Sequence, residues 1–282
     1  MKGQFKMELD VSAYVKLFIP QVLLTFITCG IYYPWALVKI MKVLADGLTL
    51  DGKKFKFNGE GGEVFCLYFV QMILTIITCG IYYPFAFLKI RKYFTDKLEL
   101  DGKTLFFNDE QGCDFWCLLF VQYLLTYLTC GIYYPWAILK ITEELLKRTR
   151  YDEQAFSIRA EGGKLFSLML GQGLLTLITA GIYGPWAMAK IYNYMVSNIY
   201  YGNNERFQME LKGGELFSIF LIHSGILPYI ALYIIAMVLI KNGALAGNLV
   251  IMLALFVLYG FMPWFAYKLY GNYASHTEVV DA

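Results

Sequence analysis

The chain has 282 residues, 58% hydrophobic and 18% aromatic, with 16% charged. Soluble domains carry about 45–50% apolar and about 25% charged residues. With a mean hydropathy of +0.51, the composition reads as an integral membrane protein. The net charge of +2 argues neither way about nucleic acid, but no basic patch is interleaved with exposed aromatics, so nucleic acid is not an expected partner.

The opening MKGQFKMELD is polar and alternating, with no apolar core and small-residue cleavage site. No cleaved signal peptide is therefore expected, and insertion is left to the apolar blocks themselves. Those blocks repeat. Gln21–Ile40, Gln71–Ile90, Gln122–Ile141 and Gln172–Ile191 are nearly identical, each built round T-C-G-I-Y-Y-P or its variant. Aligned on Phe5, Phe55, Phe106, Phe156 and Phe207, the period is 50 or 51 residues, so there are five units. They fall at about 1–50, 51–101, 102–151, 152–202 and 203–282, within one repeat domain.

Each unit starts with a short alternating strand. A glycine-bearing turn follows in most units, then an apolar helix A of about 17 residues. The C-G-I-Y-Y-P bend comes next, with glycine to stop one helix and proline to start the next. Helix B is amphipathic and leads to a second strand. Leu48–Phe57 and Leu98–Phe107 are Asp-Gly hairpins flanked by alternating apolar residues. The third and fourth linkers, Tyr151–Ile158 and Tyr200–Met209, keep the spacing without Asp-Gly.

The fifth unit holds 28 more residues between its helix-A polar position and its motif glycine than the fourth. They form two long apolar runs, Leu216–Ile240 and Leu249–Tyr267, each able to cross a core of about 30 Å at 1.5 Å per residue. Unit five therefore reads as a full transmembrane hairpin. By homology, units one to four read as short re-entrant hairpins; the rival reading has each helix A cross once. Charge favours the re-entrant reading: of 24 Lys and Arg, Lys241 alone would lie on the far side. The expected fold is an α-helical membrane protein with short β-hairpins, in five strand–helix–turn–helix–strand repeats. The chain starts on the second strand of a hairpin (Phe5–Leu9) and ends on the first (Thr277–Val280). Pairing of these strands would close a pseudo-fivefold ring and remove two free edges.

Several of these segments, namely GGELF (213–217), LLTLITAGIYGPWA (174–187), RKY (91–93), LELDG (98–102) and SHT (275–277), resemble the YjgN-like family of uncharacterised bacterial inner-membrane proteins. The resemblance covers essentially every unit. It implies a polytopic inner-membrane protein with no established activity. The chain departs from the family pattern in carrying four consecutive short units before one long hairpin. Residence in the bacterial inner (cytoplasmic) membrane, with both termini cytoplasmic, is the corresponding expectation.

Candidate functional residues recur with the repeat. Gln21, Gln71, Gln122, Gln172 and His223 each put one polar group in an apolar helix. They read either as the lining of a central path or as interhelical hydrogen-bonding glue, the latter favoured. Thr25, Thr75, Thr126 and Thr176, four residues on, can bond the backbone of the previous turn. Lys39, Lys89, Lys140, Lys190 and Lys268 each follow the motif proline by five. Snorkelling to the interface is the favoured account, and a lipid-headgroup or anion site the functional one. The aromatics of the bend, Tyr32, Tyr33 and Trp35 and their counterparts, read as interface anchors or packing. Cys29, Cys79 and Cys130 share a position with Ala180 and read, with the other cysteines, as free thiols used for packing. His276, in the terminal SHT, reads as structural.

No H-E-x-x-H, G-x-S-x-G, phosphate-loop or dinucleotide motif is present. No enzyme activity, metal or cofactor is expected. Two functions compete: a transport or channel-like role through a repeat-lined axis, or membrane shaping and scaffolding by hairpins wedged into one leaflet. Membrane lipids are the expected partners, with a protein partner or a second copy of the chain as further candidates.

Overall fold

The structure, a computed structural model, describes residues 3–9, 11–110, 112–202, 205–223, 226–241, 250 and 265–281. Unit one runs β1 (Gly3–Met7), α1 (Val11–Ile27), α2 (Tyr33–Gly47) and β2 (Leu48–Leu50). Unit two is β3 (Lys53–Phe57), α3 (Gly61–Ile77), α4 (Tyr83–Asp96) and β4 (Leu98–Leu100). Unit three is β5 (Lys103–Phe107), α5 (Gly112–Leu128), α6 (Tyr134–Lys147) and β6 (Thr149–Tyr151). Unit four is β7 (Gln154–Ile158), α7 (Gly162–Ile178), α8 (Gly184–Val196) and β8 (Ile199–Tyr201). Unit five has β9 (Glu205–Met209), α9 (Gly213–His223), α10 (Ile226–Lys241), a helix α11 over 265–275, and β10 (Thr277–Asp281).

The ten strands form one closed antiparallel barrel in the order β1-β10-β9-β8-β7-β6-β5-β4-β3-β2. Within a unit the two strands pair, as Phe5↔Leu50 and Phe55↔Leu100 do; between units the tight turns pair them again. The terminal strands close the ring, Gly3 opposite Val279, so neither is left as a free edge. Alternate strands run the same way, so every helical pair leaves from one end of the barrel and every tight turn lies at the other. Asp51-Gly52 and Asp101-Gly102 make these turns with φ of 50° and 77°, and 54° and 78°, the left-handed pair a two-residue hairpin needs. Asp152-Glu153 adopts the same geometry, φ 48° and 66°, without glycine.

The barrel interior is packed. Phe5 stacks on Phe55 and Phe207 at 6.2 and 6.3 Å, and Phe207 meets Phe156 at 6.1 Å. Leu50, Leu100, Tyr151, Tyr201 and Val279 fill the rest. The Tyr151 hydroxyl donates to the Leu100 carbonyl at 3.1 Å, and that of Tyr201 to the Tyr151 carbonyl at 2.9 Å. Burial, with nearby acidic and phenolic groups, pushes the Tyr201 hydroxyl up to about 12, so it stays neutral.

The expected fold is corrected in three respects. The strands are not isolated hairpins on a helical protein, since inter-unit pairing joins all ten into one barrel. Nor do the described residues contain the transmembrane hairpin expected of unit five. Among the described residues no helix is long and apolar enough to cross a membrane; Leu216–Ile240 falls on α9, of 11 residues, and α10, of 16, and 224–225 between them lie outside the described residues. The second run falls largely on 251–264, outside the described residues. Helix A of units one to four has 17 residues, about 25 Å, short of a hydrocarbon core of about 30 Å. Finally, the register of unit three is off by one. Leu105, opposite Tyr151, takes the place of the ring phenylalanines, while Phe106 pairs with Arg150 and is 51% exposed. The Phe106-Phe107 doublet hides this slip, which in a strand exchanges the faces.

Candidate functional site

The helices form a crown on one end of the barrel, each packed on its neighbours in chain order. Aromatic-on-glycine contacts lock the units together. Trp35 of α2 stacks on Phe65 of α3 at 5.2 Å, Trp136 on Phe166 at 5.2 Å, and Trp186 meets Phe217 at 4.8 Å. Each ring lies over the first glycine of the next helix A. A Cβ on Gly61, Gly162 or Gly213 would come within 2.4 Å of the facing indole. The Trp residues of the bend thus serve as packing between units, not as free anchors. At the helix starts, Tyr93 of RKY accepts from the Glu60 amide at 2.9 Å and donates to Glu63 at 2.6 Å. Hydrogen bonds from Tyr93 and Lys97 hold the Glu63 carboxyl below its ordinary range. His276 contacts Glu215 at 3.2 Å, and Asn272 donates to the same carboxylate at 2.9 Å, tying α9 to α11.

At the far end of the crown each short pair turns on one motif. Cys29 and Gly30 take φ of 50° and 90°, and the pattern repeats at Cys79-Gly80, Cys130-Gly131 and Ala180-Gly181. The Thr28 hydroxyl accepts from the Tyr32 amide at 3.0 Å and donates to the Leu24 carbonyl at 2.8 Å, as Thr78, Thr129 and Thr179 do in their units. Thr25, Thr75, Thr126 and Thr176 bond the previous turn at 2.7–2.8 Å, as their spacing led us to expect. All six cysteines are free, but they are exposed, and those at the bends do not pack.

The bends are apolar and bare. Phe26, Ile27 and Ile31, Ile76, Ile77 and Ile81, Tyr127, Leu128 and Ile132, and Leu177, Ile178 and Ile182 are between 61 and 83% exposed. Exposed apolar residues continue down helix A to Ile19, Phe69, Phe120 and Leu170. That band spans eight residues in each unit, about 12 Å at 1.5 Å per residue.

The two residue sets singled out by the repeat meet inside each unit. The Tyr32 hydroxyl donates to Gln21 Oε1 at 2.9 Å and accepts from Lys39 Nζ at 2.9 Å. Unit four repeats this through Gln172, Tyr183 and Lys190, at 3.1 Å each. Lys89 and Lys140 stand over the rings of Tyr82 and Tyr133 at 5.9 and 6.0 Å. Lys268 instead lies over Tyr267, 5.9 Å from its centroid. Gln21, Gln71 and Gln122 are at most 6% exposed, and the last two keep a buried Oε1 with no protein partner. The glutamines thus sit within their own helical pairs. His223 ends α9, and its side chain lies outside the described residues. All five lysines are exposed. Lys39, Lys89, Lys140 and Lys190 form a belt six residues below the start of helix B, about 9 Å from the bend. The tyrosine that joins glutamine to lysine reads from the sequence only as an interface anchor or packing residue, not as a link between the two sets. Its signal is a Tyr seven residues before the Lys, two helical turns on one face.

No solved structure matches the chain. Among curated proteins it is similar to the inner membrane protein YjgN of Escherichia coli K12, with 42% identity over 57 residues. The O157:H7 form is 42% identical over 52 residues. These alignments cover 20% and 18% of this chain, and only 14% and 13% of the relatives' own lengths. The family model described as bacterial protein of unknown function (DUF898) matches residues 52–111 and 145–279, well over half of the sequence. On that match, the chain belongs to this family of uncharacterised bacterial proteins.

Proposed function

We propose that the protein is a non-enzymatic inner-membrane scaffold that seats its helical crown in one leaflet and holds the barrel at the membrane surface. The observation that carries this is the geometry of the crown: bare apolar bends at one end, and an exposed lysine belt about 9 Å behind them. A lysine at that depth places its ammonium at the phosphate level while the bend enters the acyl region. The apolar band of about 12 Å matches one leaflet, half of a hydrocarbon core of about 30 Å. The name carried by the YjgN relatives supports the membrane assignment. Lysine excess favours the cytoplasmic leaflet, which leaves barrel and termini in the cytoplasm.

The barrel interior turns the choice from transport toward scaffolding. The axis that a channel would use is occupied by Phe5, Phe55, Phe156 and Phe207 in mutual contact. Wedges in one leaflet would curve it, so the readouts are vesicle flotation, tubulation and dye release. We expect the protein to float with and tubulate anionic vesicles without releasing an encapsulated dye. The variant Ile27→Glu/Ile77→Glu/Leu128→Glu/Ile178→Glu, with its far-UV spectrum unchanged, should stay at the bottom of the gradient. Flotation of that variant like the wild type would refute the reading. Dye release abolished by replacing Gln21, Gln71, Gln122 and Gln172 with Leu would restore the transport role.

A further inference from the structure

Unit four departs from the other short units within the crown. Directly after their glutamines, units one to three carry Val22, Met72 and Tyr123, and unit four carries Gly173. At the start of helix B they carry Tyr33, Tyr83 and Tyr134, and unit four carries Gly184. A Cβ on either glycine would meet nothing within 4 Å. Between α7 and α8 lies an apolar groove of about 500 Å³, lined by Met169, Gly173, Thr176, Leu177, Ala187 and Ile191 among others. Gln172, next to the lining residue Gly173, is partly exposed where Gln21, Gln71 and Gln122 are buried. Lys190 stands beside it on α8, bonded only through its neutral neighbour: its Nζ donates to the Tyr183 hydroxyl, which donates to Gln172. Among the described residues no carboxylate pairs with Lys190.

From the belt to the bend there is thus a cation, a partly exposed amide, and an apolar slot reaching Ala180-Gly181. We infer that this groove holds one acyl chain of an anionic phospholipid taken from the surrounding leaflet, its phosphate on Lys190. This rests on the reading that the crown enters a leaflet. Two observations favour a lipid over other apolar occupants. The slot is continuous with the apolar band that faces the acyl region, and Lys190, next to the lining residue Ile191, puts a cation at headgroup depth. The other units fill the same register position with Val, Met or Tyr, so a single lipid per chain is expected.

Photo-crosslinking of the full chain in phosphatidylglycerol vesicles carrying a diazirine on the acyl chain tests this. Labelling of α7–α8 should exceed that of α1–α2 roughly tenfold. Gly173→Val installs the side chain unit one already carries there. It should reduce labelling to the α1–α2 level while flotation is unchanged. Lys190→Gln should also lower it. With flotation intact, equal labelling of the two pairs, unchanged labelling in Gly173→Val, or protein–protein cross-links at α7 in place of lipid would overturn the groove assignment alone. Loss of wild-type flotation would overturn both it and the leaflet reading.

Discussion

Gly162 and Gly163 are adjacent, share a helix and differ in one respect, which makes them a sharp test of how the units hold together. A Cβ on Gly162 would lie 2.2 Å from Trp136 Cδ1 and 2.5 Å from Nε1, whereas one on Gly163 would meet nothing within 4 Å. Trp136 cannot easily yield, because it stacks on Phe166 of unit four at 5.2 Å and on Tyr133 of its own unit at 6.0 Å. Overpacking costs about 1–3 kcal/mol, and each disturbed aromatic pair about 0.5–1.5. Better helix propensity returns up to about 1 kcal/mol. Gly162→Ala should therefore destabilise by roughly 2–3 kcal/mol, and Gly163→Ala should be neutral or stabilising by up to about 1 kcal/mol. Denaturant unfolding followed by far-UV circular dichroism measures both, with m-values compared to confirm an unchanged unfolding transition. In a Trp136→Ala background the cost of Gly162→Ala should largely vanish. Equal stability of the two alanine variants, or a full cost without the indole, would refute the lock between units.

Two further outcomes follow from particular side chains. Glu153→Gly puts glycine where φ is 66° and recreates the Asp-Gly turn of the first two linkers; it should stabilise by roughly 0.5–1 kcal/mol in the same unfolding assay. Glu63 is held below its ordinary pKa of 4.5 by Tyr93 and Lys97. A lowered folded-state pKa gives stability that is complete above 4.5 and lost as pH falls through the folded value. Tyr93→Phe should therefore cost most at neutral pH, and its gap to wild type should narrow below about pH 4, near the unperturbed glutamate value. A gap that widens on acidification would show that the Tyr93–Glu63 bond is not its source.

The sequence by itself determined the unit. Local chemistry is enough to place an Asp-Gly turn, a glycine stop, a proline start and a 17-residue apolar helix, because each depends on residues a few positions apart. Counting that unit five times also pointed to closure, since β1 and β10 each lacked a partner that the other supplies. The tertiary structure decided what local pattern cannot carry. Pairing across units turned separate hairpins into one barrel, and the doublet at Phe106-Phe107 could not reveal which residue faces inward. Glutamine and lysine looked like two separate rings because they lie 18 residues apart, on opposite sides of a bend. Folding of the bend brings them to one tyrosine, as at Tyr32 and Tyr183. The same holds for the first glycine of helix A in units two to five: sequence marks it as a turn residue, and only the neighbouring unit's aromatic ring shows why no side chain fits there.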